Sequence, residues 1–183
     1  MMEFCKGLGI VFGYFALCLP GALLLRRFFR IRGEVFRKTL HIIALFSVFA
    51  WLYAFKTWWI SALAALSFAA IVYPALSLAE RFDGYAELFT QRKTGEIRRS
   101  LVVMFVMVAT LVCVFWGWLG IKWPVLACVC AWGFGDAAAA LVGKKFGKHA
   151  LQGRLIEGRK SVEGTLAMFI VSFIAVFLVL LVN

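Results

Sequence analysis

Asp136 poses the sharpest chemical question in this 183-residue chain. It stands in Trp132-Gly133-Phe134-Gly135-Asp136-Ala137-Ala138-Ala139-Ala140, inside an apolar block. An acid there is costly and calls for a cation, a metal or a hydrogen-bond donor, and the Gly and Ala around it let a helix or a ligand approach closely. An interhelical salt bridge or a polar packing contact would satisfy it equally. Downstream, Gly143-Lys144-Lys145-Phe146-Gly147-Lys148-His149 sets two glycines four apart among three lysines. Flexible backbone amides with lysines suit phosphate groups, while a helix end closed by glycine, its lysines answering the dipole, would read the same. In Gly158-Arg159-Lys160-Ser161-Val162-Glu163-Gly164-Thr165 a basic pair, a hydroxyl and an acid open another apolar run. Ser161 could be a helix N-cap there, with Glu163 in the favourable first turn.

Two further clusters carry polar chemistry. In Arg37-Lys38-Thr39-Leu40-His41, Lys38 and His41 are three apart and share a helical face, and an imidazole at a membrane edge is either a titrating group or a hydrogen-bonded one. In Thr94-Gly95-Glu96-Ile97-Arg98-Arg99-Ser100, Arg98 or Arg99 could clamp a phosphate bidentately or mark the membrane boundary. The P-loop pattern is absent, because Ala138 stands where Gly143-Lys144 would need its first glycine. Gly133 to Ala138 matches GxGxxA, yet no strand-helix-strand context is available for it.

The elements that must position these groups follow from composition. The chain is 64% hydrophobic, only 16% charged, and has a mean hydropathy of +0.94, too apolar for a water-soluble domain of this size. Six apolar blocks run over 4–25, 40–55, 57–79, 100–118, 121–142 and 165–182, each about the length of a membrane span. The second is short and can be continued by its polar flanks. The expectation is a single all-α transmembrane domain over 1–183, a bundle of about six helices, with chemistry confined to helix ends and short loops. Small residues such as Ala62, Ala65, Ala69 and Ala137 to Ala140 would mediate close approach, and Trp51, Trp58, Trp59, Trp116, Trp118 and Trp123 would form an aromatic belt. Residues 78–89 mix apolar and acidic positions at near-helical spacing, as a short interfacial helix would, although Gly84 weakens it.

Charge placement sets the expected topology. Of 20 Lys and Arg, 17 fall in 26–39, 80–99 and 143–164, so these three basic loops are expected in the cytoplasm and both termini outside. All four polar clusters then lie on the cytoplasmic face. Arg26, Arg27, Arg30 and Arg32 best fit a purely topological role. Nucleic acid is not the expected partner of a charge distributed in this way. Five cysteines inside apolar blocks, with no CxxC and no histidine at ligand spacing, indicate neither a zinc site nor a disulfide framework.

On these residues the chain resembles the CTP-dependent lipid kinases, which comprise dolichol kinase, yeast-type diacylglycerol kinase and phytol kinase and are related to phosphatidate cytidylyltransferases. The resemblance runs from Arg37 to Phe169. It rests on Arg37-Lys38-Thr39-Leu40-His41, like the family's RKxxH, on 135–147, like its GDxxAxxxGxxxG, and on 160–169, like its K[KST]xEG[ST]xxxF. Any one alone is weak; three in order are not. The resemblance implies transfer of the γ-phosphoryl group of CTP to a membrane lipid hydroxyl, with a divalent cation such as Mg²⁺. Asp136 would bind that ion or orient the triphosphate, and Arg37 and Lys38 would be phosphate or catalytic contacts. Gly135, Gly143, Lys144, Gly147 and Lys148 would line the nucleotide, and Lys160, Ser161, Glu163 and Gly164 would close the site. His41, Glu163 and Asp136 are the candidates for a general base.

Residues 147–151 and 160–164 also look like the cytidylyltransferases, which attack the α-phosphorus of CTP; the RKxxH element and small size favour a kinase. A reading of another class is a transporter with Asp136 as its ion site. The lipid alcohol, whether diacylglycerol, a polyprenol, phytol or dolichol, is not written in the sequence. A prokaryotic inner membrane is the expected location, and a six-helix chain with one buried acid could form a homodimer.

Overall fold

Within hydrocarbon an apolar run must satisfy its own backbone, and helices do so segment by segment. The computed structural model describes residues 1–29, 31, 33–89, 94–151 and 160–182; Arg30, Arg32, Gly158 and Arg159 lie outside the described residues. Its helices are α1 (Met2–Phe29), α2 (Gly33–Ala54), α3 (Trp58–Ala79), a short α4 (Tyr85–Phe89), α5 (Glu96–Leu111), α6 (Trp123–Phe146) and α7 (Val162–Val182). A π-helical segment, Val112–Trp118, continues α5. Six spans are long and apolar enough to cross a membrane among the described residues. The protein is thus an all-α membrane protein. Among the described residues there is also a two-residue antiparallel ladder, β1 (Ala150–Leu151) with β2 (Lys160–Ser161).

Helix bounds differ from the apolar blocks where polar residues can still serve a helix. α2 begins at Gly33, seven residues before the apolar run, so the polar flank does continue the second span and Arg37, Lys38 and His41 are helical. The interfacial helix expected over 78–89 is broken: α3 ends at Ala79, and Gly84 adopts φ +87°, leaving only α4 beyond it.

The chain packs as two compact units, Met1–Lys122 and Trp123–Asn183. In the first, α1, α2, α3 and α5 converge on Phe68, whose ring meets Phe12 and Phe15 of α1, Trp51 of α2 and Phe105 of α5. Trp51 is therefore a core residue, 1% exposed, and not the belt anchor its block end suggested. A buried indole N–H needs an acceptor, and Ser61 Oγ supplies one at 3.0 Å. Trp58, Trp59 and Trp118 are exposed, as anchors should be. The five cysteines are free.

One end of this unit is closed by Glu3. Its Oε1 accepts the N–H groups of Lys56 and Thr57 at 2.7 and 2.9 Å, and its Oε2 accepts the Thr57 hydroxyl at 3.0 Å. Thr57, the N-cap of α3, makes no side-chain cap of its own, so α1 provides the carboxylate that the helix start requires.

Ser61→Ala strands the Trp51 N–H in the core. We expect a loss of about 1–3 kcal/mol, read as a lowered unfolding midpoint in detergent, with little change for an exposed serine such as Ser100.

Candidate functional site

The second unit is a helical hairpin that brings two of the polar clusters together. α6 ends in Lys144 and Lys145, the chain turns through 147–149, and the β1–β2 ladder pairs Ala150 with Ser161 and Leu151 with Lys160. α7 then runs back along α6. A Cβ at Gly164 would stand 2.9 Å from Ala139 O and 3.3 Å from Gly143 Cα, and one at Gly135 would strike Ser172 Oγ. Only glycine allows this approach, which is how membrane helices gain contact where water exclusion gives no drive. Ser172 Oγ donates to Ala131 O at 2.8 Å across the same seam.

Ser161 is the hinge of the arrangement. Its Oγ accepts the Gly164 N–H at 3.2 Å, the N-cap bond anticipated from sequence, and its carbonyl accepts the Thr165 hydroxyl at 3.1 Å. The same Oγ lies 3.3 Å from a Cβ placed on Gly143 and 2.8 Å from one placed on Gly147. Gly143, Gly147 and Gly164 therefore enclose Ser161. Gly143 is inside α6 and Gly147 N donates to Gly143 O at 3.2 Å, so these two amides are engaged along the helix rather than open to a phosphate.

Around this hinge the ionisable groups are accessible. Glu163 Oε1 is 2.7 Å from His149 Nδ1, and both carboxylate oxygens accept the His149 backbone N–H, at 3.2 and 3.4 Å. Val162 N in turn donates to His149 O at 3.0 Å. Lys144, Lys145, Lys148 and Lys160 are exposed at the same end of the hairpin. His149 was in the sequence motif without a role; fourteen residues separate it from Glu163, and no helical or strand periodicity links two residues across a turn.

Asp136 lies on α6 one residue beyond Gly135 of the seam, and is exposed. Among the described residues it makes no hydrogen bond or ion pair, so the interhelical salt bridge is not formed there. Nor do three His, Cys, Asp or Glu side chains gather into a metal cage among the described residues. A single accessible carboxylate still fits Mg²⁺, an ion that keeps its waters and takes substrate phosphates as ligands beside one or two carboxylates.

The remaining candidates belong to the first unit. Arg37 Nη1 is 3.5 Å from Glu96 Oε1, and its carbonyl is 2.8 Å from His41 Nδ1. Arg98 is held by Ser77 Oγ at 2.8 Å, by Glu80 Oε2 at 3.5 Å and by the Tyr73 ring, and it folds over Gly95, which has φ +77°. Arg98 is thus committed to structure, whereas Arg99 is exposed and Lys38 half-buried. Nearby, burial pushes the Tyr85 phenol above its usual range, and the Glu80 charge adds to the effect.

An exposed carboxylate that makes no hydrogen bond or ion pair among the described residues holds no packing contact together, while a Cβ on Gly164 would stand 2.9 Å from Ala139 O and has no room. Thermal unfolding in lipid nanodiscs should therefore show Asp136→Asn equal to or above the unaltered chain. Gly164→Ala should fall below it by about 1–3 kcal/mol. Comparison with family models, with curated proteins and with solved structures found no match.

Proposed function

We propose that the chain is a membrane lipid-alcohol kinase that transfers the γ-phosphoryl group of CTP to a lipid hydroxyl of the diacylglycerol or polyprenol type. One observation supports it most. The GDxxAxxxGxxxG-like and KSxEGT-like segments, each a weak signal alone, form one packed hairpin with an accessible carboxylate and four exposed lysines. Phosphoryl transfer asks for charge neutralisation and alignment more than for covalent chemistry, and this hairpin offers those. In this reading the basic connections face the cytoplasm of a prokaryotic inner membrane, where CTP is available. The lipid hydroxyl oxygen attacks the γ-phosphorus, the bond to the β,γ-bridging oxygen breaks, and CDP leaves with its electrons.

Lys144, Lys148 and Lys160 would neutralise the triphosphate, and Asp136 would hold the Mg²⁺. That ion would supply charge neutralisation on the β- and γ-oxygens. Arg37, Lys38 and His41 enter through the family resemblance alone.

The test uses the purified chain in detergent with mixed lipid alcohols, phosphatidate and Mg²⁺, given CTP labelled at the γ- or the α-phosphorus. Label in lipid from γ-CTP alone is the expected result, and Asp136→Asn should lower it at least about 100-fold. Label from α-CTP alone would make the chain a cytidylyltransferase, and label from neither would remove CTP from the reading.

A further inference from the structure

The geometry points to His149 as the proton acceptor of the reaction, with Glu163 as the residue that positions it. This inference rests on the kinase reading, and deepens it by naming the group that removes the hydroxyl proton. A carboxylate can only accept, so at 2.7 Å from Glu163 Oε1 the His149 Nδ1 carries the hydrogen. In the neutral ring the other nitrogen, Nε2, is then the acceptor, and its tautomer is fixed by the partner rather than by chance. Glu163 also binds the His149 backbone N–H, and Val162 N binds the His149 carbonyl, so ring and backbone are both held from the first turn of α7. The His149 side chain is nonetheless 78% exposed, which leaves Nε2 open to a substrate. A base within hydrogen-bond reach, oriented by an acid behind it, is the arrangement general-base catalysis uses.

Placement agrees with that role. Glu163 precedes Gly164, which packs beside Gly143, so the pair stands level with Gly143. Seven residues, or about 10 Å of helical rise, separate that level from Asp136. Asp136 and His149 therefore stand at different heights along the hairpin and do not compete for one oxygen. Among the described residues, the charged groups about His149 are Glu163 on α7, Lys144 and Lys145 on α6, Lys148 beside it and Lys160 on β2. The lysines hold the anionic donor; none of them can accept the proton while charged.

In the step, the lipid O–H bond breaks as oxygen joins the γ-phosphorus. The proton passes to Nε2, and the imidazolium is paired with Glu163 until it releases the proton to water. His149→Gln and Glu163→Gln test this in the full-length chain, with γ-labelled CTP transfer followed from pH 5 to 9 and CTP binding measured by equilibrium dialysis. We expect kcat in His149→Gln to fall about 100-fold or more, with KM and dialysis affinity for CTP kept, and the acid-side limb of slope one to vanish. Glu163→Gln should lower kcat less and keep the limb. If His149→Gln retains both rate and limb, the assignment to His149 is wrong while the kinase reading stands. If the variant loses CTP binding in step with kcat, His149 is a nucleotide contact and not a base. Absence of transfer by the unaltered chain at every pH overturns both readings.

Discussion

The close approach of α6 and α7 is the constraint on which the candidate chemistry depends. Membrane helices gain nothing from hiding apolar surface from each other, so their association must come from contact, and contact needs backbones near one another. Gly143, Gly147 and Gly164 permit it, and Ser161 fills the space they leave while capping α7. A side chain at Gly164 would press on Ala139 O of α6, and one at Gly147 on Gly143 O and Ser161, so the seam would have to shift to admit either. One packing decision thus fixes a helix start, a turn and a hydrogen-bonded acid–imidazole pair.

The same decision explains why motif residues have different duties from those their spacing implied. Glycines near lysines invite a phosphate cradle, but here the amides are engaged in the helix and the missing side chains serve packing. The groups that remain accessible are the lysines, His149 and Asp136. In the first unit, Arg98 likewise satisfies Glu80, Ser77 and the Tyr73 ring, because a partly buried guanidinium demands several partners.

Hydropathy made the six spans legible, since twenty apolar residues have few other fates. It was blind to facing. Trp51 reads as an interfacial anchor from its place near a block end, yet Ser61 on the next helix turns it into a core residue. It was also blind to the wider π turns at Val112–Trp118, where Gly117 makes room for the Trp58 ring. The Ser161 cap was legible because it is local. The His149–Glu163 pair was not, because it is created by a turn.

The Glu3 carboxylate carries a consequence for how the molecule is made. Its partners, Lys56 and Thr57, follow it by 53 and 54 residues, with all of α2 between. During synthesis the first helix is in place long before the groups it will bind exist. The clasp can close only once α2 has crossed and α3 has begun, so it acts as a record that the first three helices were inserted in order. A chain in which α2 failed to cross would leave Glu3 and the start of α3 on opposite sides of the bilayer, each with polar groups left unanswered.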